Sequence, residues 1–98
     1  MLDIQKIITL STAHISEKTA KTLDMMAMHG LPMAPFTVYN KDDVGWFIYC
    51  PKQTDLNKIP KDYNDLRTII AFAHDHDCEI ICLDEDYETV EYLPTYDW

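Results

Sequence analysis

His74, His76, Cys78 and Cys82 fall within nine residues, and all four are side-chain types that bind zinc. Their spacing argues against a shared ion. Residues two apart on a helix point about 200° away from each other. The C-x2-C and H-x3-H intervals that let one turn supply two ligands are missing. The simpler expectation is that the histidines finish a helix, where partly charged imidazole faces the negative end of the dipole. Cys78 and Cys82 then serve as small core residues.

Asp84, Asp86 and Glu88, in the stretch DEDYE, fall on one side of an extended chain at steps of about 7 Å. Such carboxylates suit magnesium or calcium, but the D-x-[DN]-x-[DN]-G calcium loop is not present. A solvated acidic turn that keeps an edge strand from pairing with other chains is the expectation, and no metal or other cofactor is called for. His14, in STAHIS, sits between a strand and a helix cap, where loops often hold functional groups. Ser11, Thr12 and Cys50 are nucleophile types, yet no elbow or triad pattern joins them to it. His14 is therefore expected to hydrogen-bond its loop, no residue is assigned as catalytic, and the chain is expected not to be an enzyme.

Charge is the stronger signal. From residue 75 to 98 there are nine acids and no Lys or Arg, while residues 1–74 hold eight acidic and eight basic side chains, so the formal charge of -9 sits in the last 24 residues. Tyr87, Tyr92, Tyr96 and Trp98 are interleaved with the acids and can anchor them to the domain. A fixed carboxylate array can occupy a basic nucleic-acid groove by the electrostatics that binds phosphate. The expected partner-binding residues are Asp84, Glu85, Asp86, Glu88, Glu91, Tyr92, Tyr96 and Trp98, together with Trp46. A protein with a basic surface is the expected partner, since this net charge repels nucleic acid.

These residues must be placed by a small number of elements. Residues 2–10 read as a strand with Leu2, Ile4, Ile8 and Leu10 on one face. A helix over 17–29 follows, capped by Ser16 and stopped by Gly30, and the prolines of GLPMAP then break regular structure. Strands at about 36–40 and 44–49 form a hairpin. Pro60 can open a second helix running to about His76 that buries Tyr63, Leu66, Ile69, Ile70 and Ala73. CEIICLD, residues 78–84, supplies a last strand. The order βαββαβ predicts an α+β, ferredoxin-like two-layer sandwich, a four-stranded antiparallel sheet with two helices on one face.

In VGWFIYC, Trp46 and Ile48 point one way and Phe47 and Tyr49 the other. One pair belongs to the core. The other lies on a face that is either open to a partner or a second copy of the chain, or covered by the tail through Tyr92, Leu93, Tyr96 and Trp98.

With 98 residues, 47% of them hydrophobic, the chain is expected to be one domain, 1–98, ending in an acidic aromatic segment, 84–98. Three cysteines without a repeated spacing suit a reducing compartment. The start lacks a basic region followed by a long apolar run, and no run is long enough to span a membrane. The expected location is the cytoplasm.

STAHIS (11–16), GWFIYCP (45–51), IIAFAHDHDC (69–78) and LPTYDW (93–98) together resemble an uncharacterised family of small bacterial proteins, a domain of unknown function carried on plasmids, phages and other mobile elements. The closing hexapeptide is the most specific segment. The resemblance covers nearly the whole chain and implies a mobile-element accessory protein, without assigning chemistry. The family pattern has glycine before the cysteine that opens the last strand, where this chain has Asp77. That helix end is accordingly expected to differ in geometry. Joined to the acidic end, the resemblance implies an inhibitor of a host nucleic-acid-binding or defence protein. The alternatives are a homodimeric regulatory or adaptor domain using its sheet face, and a small metal-dependent enzyme.

Overall fold

β-Branched and aromatic residues in alternation build the sheet of this protein, whose computed structural model describes residues 2–29 and 35–98. The elements are β1 (Ile7–Ser11), α1 (Glu17–His29), β2 (Thr37–Lys41), β3 (Gly45–Tyr49), α2 (Asn64–Asp75) and β4 (Ile80–Asp84). Leu10, Val38, Trp46, Ile48, Ile81 and Leu83 turn inward and join Leu23 and Met26 of α1 and Leu66, Ile69, Ile70 and Ala73 of α2 in one core. Tyr63 packs against that core at the start of the expected α2 stripe. Gly30, and with it the expected stop of α1 and most of GLPMAP, lies outside the described residues.

The fold is α+β, with a four-stranded mixed sheet in the order β1-β4-β3-β2. The expected all-antiparallel, ferredoxin-like sheet is corrected at β4, which runs parallel to β1 (Ile7↔Ile80 to Ser11↔Asp84) and antiparallel to β3 (Tyr49↔Ile80 to Gly45↔Asp84). The reason lies in the connection over 50–63. Cys50 N–H donates to the Glu79 carbonyl at 2.8 Å, so β3 ends where β4 begins. The connection, through 3-10 turns at Leu56–Lys58 and Lys61–Tyr63, runs the length of the sheet before α2 starts. The helix then makes the return journey, and β4 must reverse relative to β3.

β1 is shorter than expected. Its pairing begins at Ile7↔Ile80, because the chain before Ile80 is the turn leaving α2 and offers no ladder to residues 2–6. Leu2 and Ile4 are consequently 85% and 81% exposed rather than facing a core.

Ser16 caps α1 as expected, its Oγ accepting the Thr19 N–H at 3.3 Å. The reciprocal half of a capping box comes from the other helix: Asp65, in the first turn of α2, accepts the Ser16 N–H at 2.7 Å and the Thr19 hydroxyl at 2.9 Å. This carboxylate binds the two helix N-termini together. At its far end α2 closes in a Schellman motif, with Cys78 N–H on Ala73 O at 2.9 Å and Asp77 N–H on His74 O at 3.0 Å. Asp77 has φ 60, the left-handed conformation glycine favours there. An aspartate thus holds the left-handed position that closes this helix end.

Candidate partner-binding site

β1 and β4 finish side by side at Ser11 and Asp84, the β2–β3 turn closes beside them, and both helices begin at this same end. The tail from Glu85 onward folds over it. Glu85 N–H donates to Val44 O at 2.9 Å, Tyr96 N–H to Ala13 O at 2.8 Å, and the Trp98 indole N–H to Ile15 O at 2.8 Å. Leu93 is buried, and Val90 packs on the core. The Trp98 indole, with Val90 and Leu93 and the Tyr96 backbone, therefore anchors the tail across the strand ends and not across the open sheet face, while Tyr87 and Tyr92, expected to help anchor it, are 54% and 83% exposed. On that face Ile7, Tyr39, Phe47, Tyr49 and Ile80 remain around an apolar depression.

His14 is the fastening. It is buried at 1% exposure, and its Nε2 accepts the Val90 N–H at 2.9 Å while its Nδ1 donates to Pro94 O at 2.8 Å. An amide can only donate and a carbonyl only accept, so these partners set a neutral ring protonated on Nδ1. Neither nitrogen is left to activate Ser11, Thr12 or Cys50, and Ser11 Oγ instead accepts the Ala13 N–H at 3.0 Å.

The acids contiguous in sequence separate in space. Asp75, Asp77 and Glu79 precede β4 and stand at its opposite end, where Lys52 pairs with Asp77 and gives its backbone N–H to Glu79. At the tail end Asp84 accepts from Lys41 Nζ at 2.5 Å and from the Asp86 N–H at 2.8 Å. The Lys41 hydrogen bond, then the Asp86 amide, hold the Asp84 carboxyl below its ordinary range, and Asp84 in turn raises Lys41. Glu85, Asp86, Glu88, Glu91 and Tyr92 are exposed, and none of these four acids has an ion-pair partner among the described residues.

Trp46 does not join an exposed aromatic surface. Its place in the core face of β3 leaves it 8% exposed, with its indole N–H on Asp24 Oδ1 at 2.8 Å. It does meet two other expected site residues, because Trp46, Glu85 and Trp98 line one cavity of about 400 Å³. Asp24, Asp42 and Asp43 line it too. These three were missed: Asp24 is one polar residue on a helix, and the turn acids in NKDD read only as a polar loop. Tyr96 and Trp98 border an adjoining cavity of about 260 Å³ over the Thr12–His14 turn.

The zinc-type residues are dispersed. His74 Nε2 lies 2.8 Å from Cys50 O, His76 Nδ1 lies 2.9 Å from Phe72 O, and Cys82 faces the open side of the sheet between Thr9 and Phe47. No group of three or more His, Cys, Asp and Glu among the described residues is arranged to hold a metal. No helix among them is long and apolar enough to cross a membrane.

Residues 7–98 match the model described as "Family of unknown function (DUF5983) C-terminal domain", and the chain belongs to that family. Comparisons with curated proteins and with solved structures returned no match.

Proposed function

We propose that this member of the family is a mobile-element accessory protein of bacterial plasmids or phages, and that it binds a basic protein surface through its tail end. The target class that fits best is a host nucleic-acid-binding or defence protein, inhibited by occupation of its phosphate-binding groove. The supporting observation is the tail itself: Glu85, Asp86, Glu88 and Glu91 are exposed without ion-pair partners among the described residues, on a backbone pinned by His14, Tyr96 and Trp98. Because the array is held in place, less ordering entropy opposes association than for a disordered acidic tail. Like-charged carboxylates also steer a basic partner and repel nucleic acid. On this reading no catalysis and no cofactor are needed, and the setting is the cytoplasm.

The test compares the immobilised chain with a triple variant, Asp86→Asn, Glu88→Gln and Glu91→Gln, as baits for lysate of a bacterial host. Basic proteins should be retained by the parent, lost from the variant, released between about 50 and 500 mM salt as screening shortens, and displaced by added duplex DNA. Equal, salt-insensitive retention by both baits would remove the proposal. A second reading, self-association through the sheet face, is favoured by exposed Ile7 and Tyr39 beside Phe47, Tyr49 and Ile80. Sedimentation separates the two, since a dimer lost on Tyr39→Ser and unaffected by the triple variant belongs to the sheet.

A further inference from the structure

We propose that the cavity bounded by α1, the β2–β3 turn and the end of the tail receives a guanidinium group, the side chain of an arginine on the partner. This rests on the reading of the tail end as a surface for a basic protein, and adds where one residue of that partner would be recognised.

The cavity, about 400 Å³, falls within the size range of small-ligand sites. Two indoles stand in its wall, and each has its N–H already bonded, Trp46 to Asp24, which also lines the cavity, and Trp98 to Ile15 O. Those bonds hold the rings in position, and with Trp46 8% and Trp98 56% exposed it is chiefly Trp98 that leaves aromatic surface for a ligand, a surface that attracts cations. Around them the lining holds Asp24, Asp42, Asp43 and Glu85, none ion-paired among the described residues, and Asp24 uses only Oδ1 for the indole. Carboxylates alone would suit any cation; carboxylates with fixed indoles select an organic one. A hard metal ion gains nothing from the rings, and the described acids are not grouped to coordinate one. Between ammonium and guanidinium, the planar and weakly hydrated guanidinium both stacks on an aromatic ring and donates two parallel hydrogen bonds to a carboxylate.

The experiment titrates the full 15N-labelled chain with N-acetyl-arginine amide and follows the two indole N–H signals, assigned with Trp46→Phe and Trp98→Phe. Both signals should shift and saturate. The lysine amide should bind several-fold more weakly, and the citrulline amide, a neutral isostere, should give no saturable shift. Asp24→Asn with Asp43→Asn preserves an acceptor for Trp46 and should weaken arginine binding by about tenfold, with an unchanged fold verified by the backbone spectrum. Indole signals that stay put, or respond equally to citrulline, overturn the inference. If they stay put while basic proteins still bind the parent and not the triple variant, the cavity falls and the broader reading stands. If neither arginine amide nor basic proteins bind, both fall.

Discussion

His14 Nε2 accepts the backbone N–H of Val90 across 76 residues of sequence, at 2.9 Å. With the second bond from Nδ1 to Pro94 O, one buried ring holds both ends of the segment that precedes the final aromatic anchors. Replacing His14 with Ala leaves an amide and a carbonyl without partners and opens a cavity, and should cost about 2–4 kcal/mol. The discriminating measurement is amide exchange: Val90 and Tyr96 should lose protection more than Ile81 or Ile70. Uniform loss across the chain would mean that His14 is a core residue and no fastening of the tail.

Asp65 makes a more local prediction. Its carboxylate is buried and satisfies the Ser16 N–H and the Thr19 hydroxyl. Asp65→Ala should cost about 2–3 kcal/mol, because the buried Thr19 hydroxyl and the partly buried Ser16 N–H both lose their acceptor. Asp65→Asn, which retains one oxygen acceptor, should lose less. Chemical denaturation of the three proteins reads the order directly, and an alanine variant as stable as the asparagine one would show that the link between the helices is incidental.

The extent of α1, the hairpin and the inward face of α2 were legible because each rests on a local rule: a cap, a turn and an apolar stripe. Leu66, Ile69, Ile70 and Ala73 are buried as their spacing indicates. The direction of β4 was not legible, since reversal depends on how far residues 50–63 travel before α2, and their polar composition does not encode distance. Leu2 and Ile4 misled for a related reason: an alternating pattern shows what a strand would bury, while the existence of the strand depends on a partner that stops at Ile80. At the site, a run of acids in sequence crosses a strand, so Asp77 and Asp86 end at opposite ends of β4. Asp42 and Asp43 reach the cavity only through the pairing of Lys41 with Gly45 and Gly45 with Asp84.

Asp77 allows the helix end to be tested without touching the core. Its φ of 60 is unfavourable for a side chain with a Cβ, less so for Asp or Asn than for Ala. Asp77→Gly should be the most stable variant and Asp77→Ala the least, about 1 kcal/mol apart. Both remove the partner of Lys52 equally, so their difference isolates the backbone. Thermal melts in which alanine equals or exceeds glycine would contradict the left-handed cap.

The Lys41–Asp84 pair joins the edge strand to the start of the tail and gives a prediction in pH. The Asp84 carboxyl is held below its ordinary value of 3.8, first by the Lys41 ammonium and then by the Asp86 amide. A carboxyl depressed in the folded state stabilises the fold fully above its unfolded value, and that contribution disappears as pH falls through the folded value. Lys41, raised above 10.5, contributes below that value and loses its contribution as pH rises through the folded one. The pair should therefore act across the neutral range and fail at both extremes. Asp84→Asn should lower Tm at neutral pH, and the gap from the parent should close as acid protonates the parent's carboxyl. A gap that persists unchanged to about pH 2, well below the ordinary carboxyl range, would show that the loss comes from the amide's geometry and not from the charge. The same pairing gives Asp84 a different standing from its neighbours in binding. Its charge is already engaged by Lys41, so Asp84→Asn should weaken a basic partner less than Glu88→Gln or Glu91→Gln, as read by association rates at low salt.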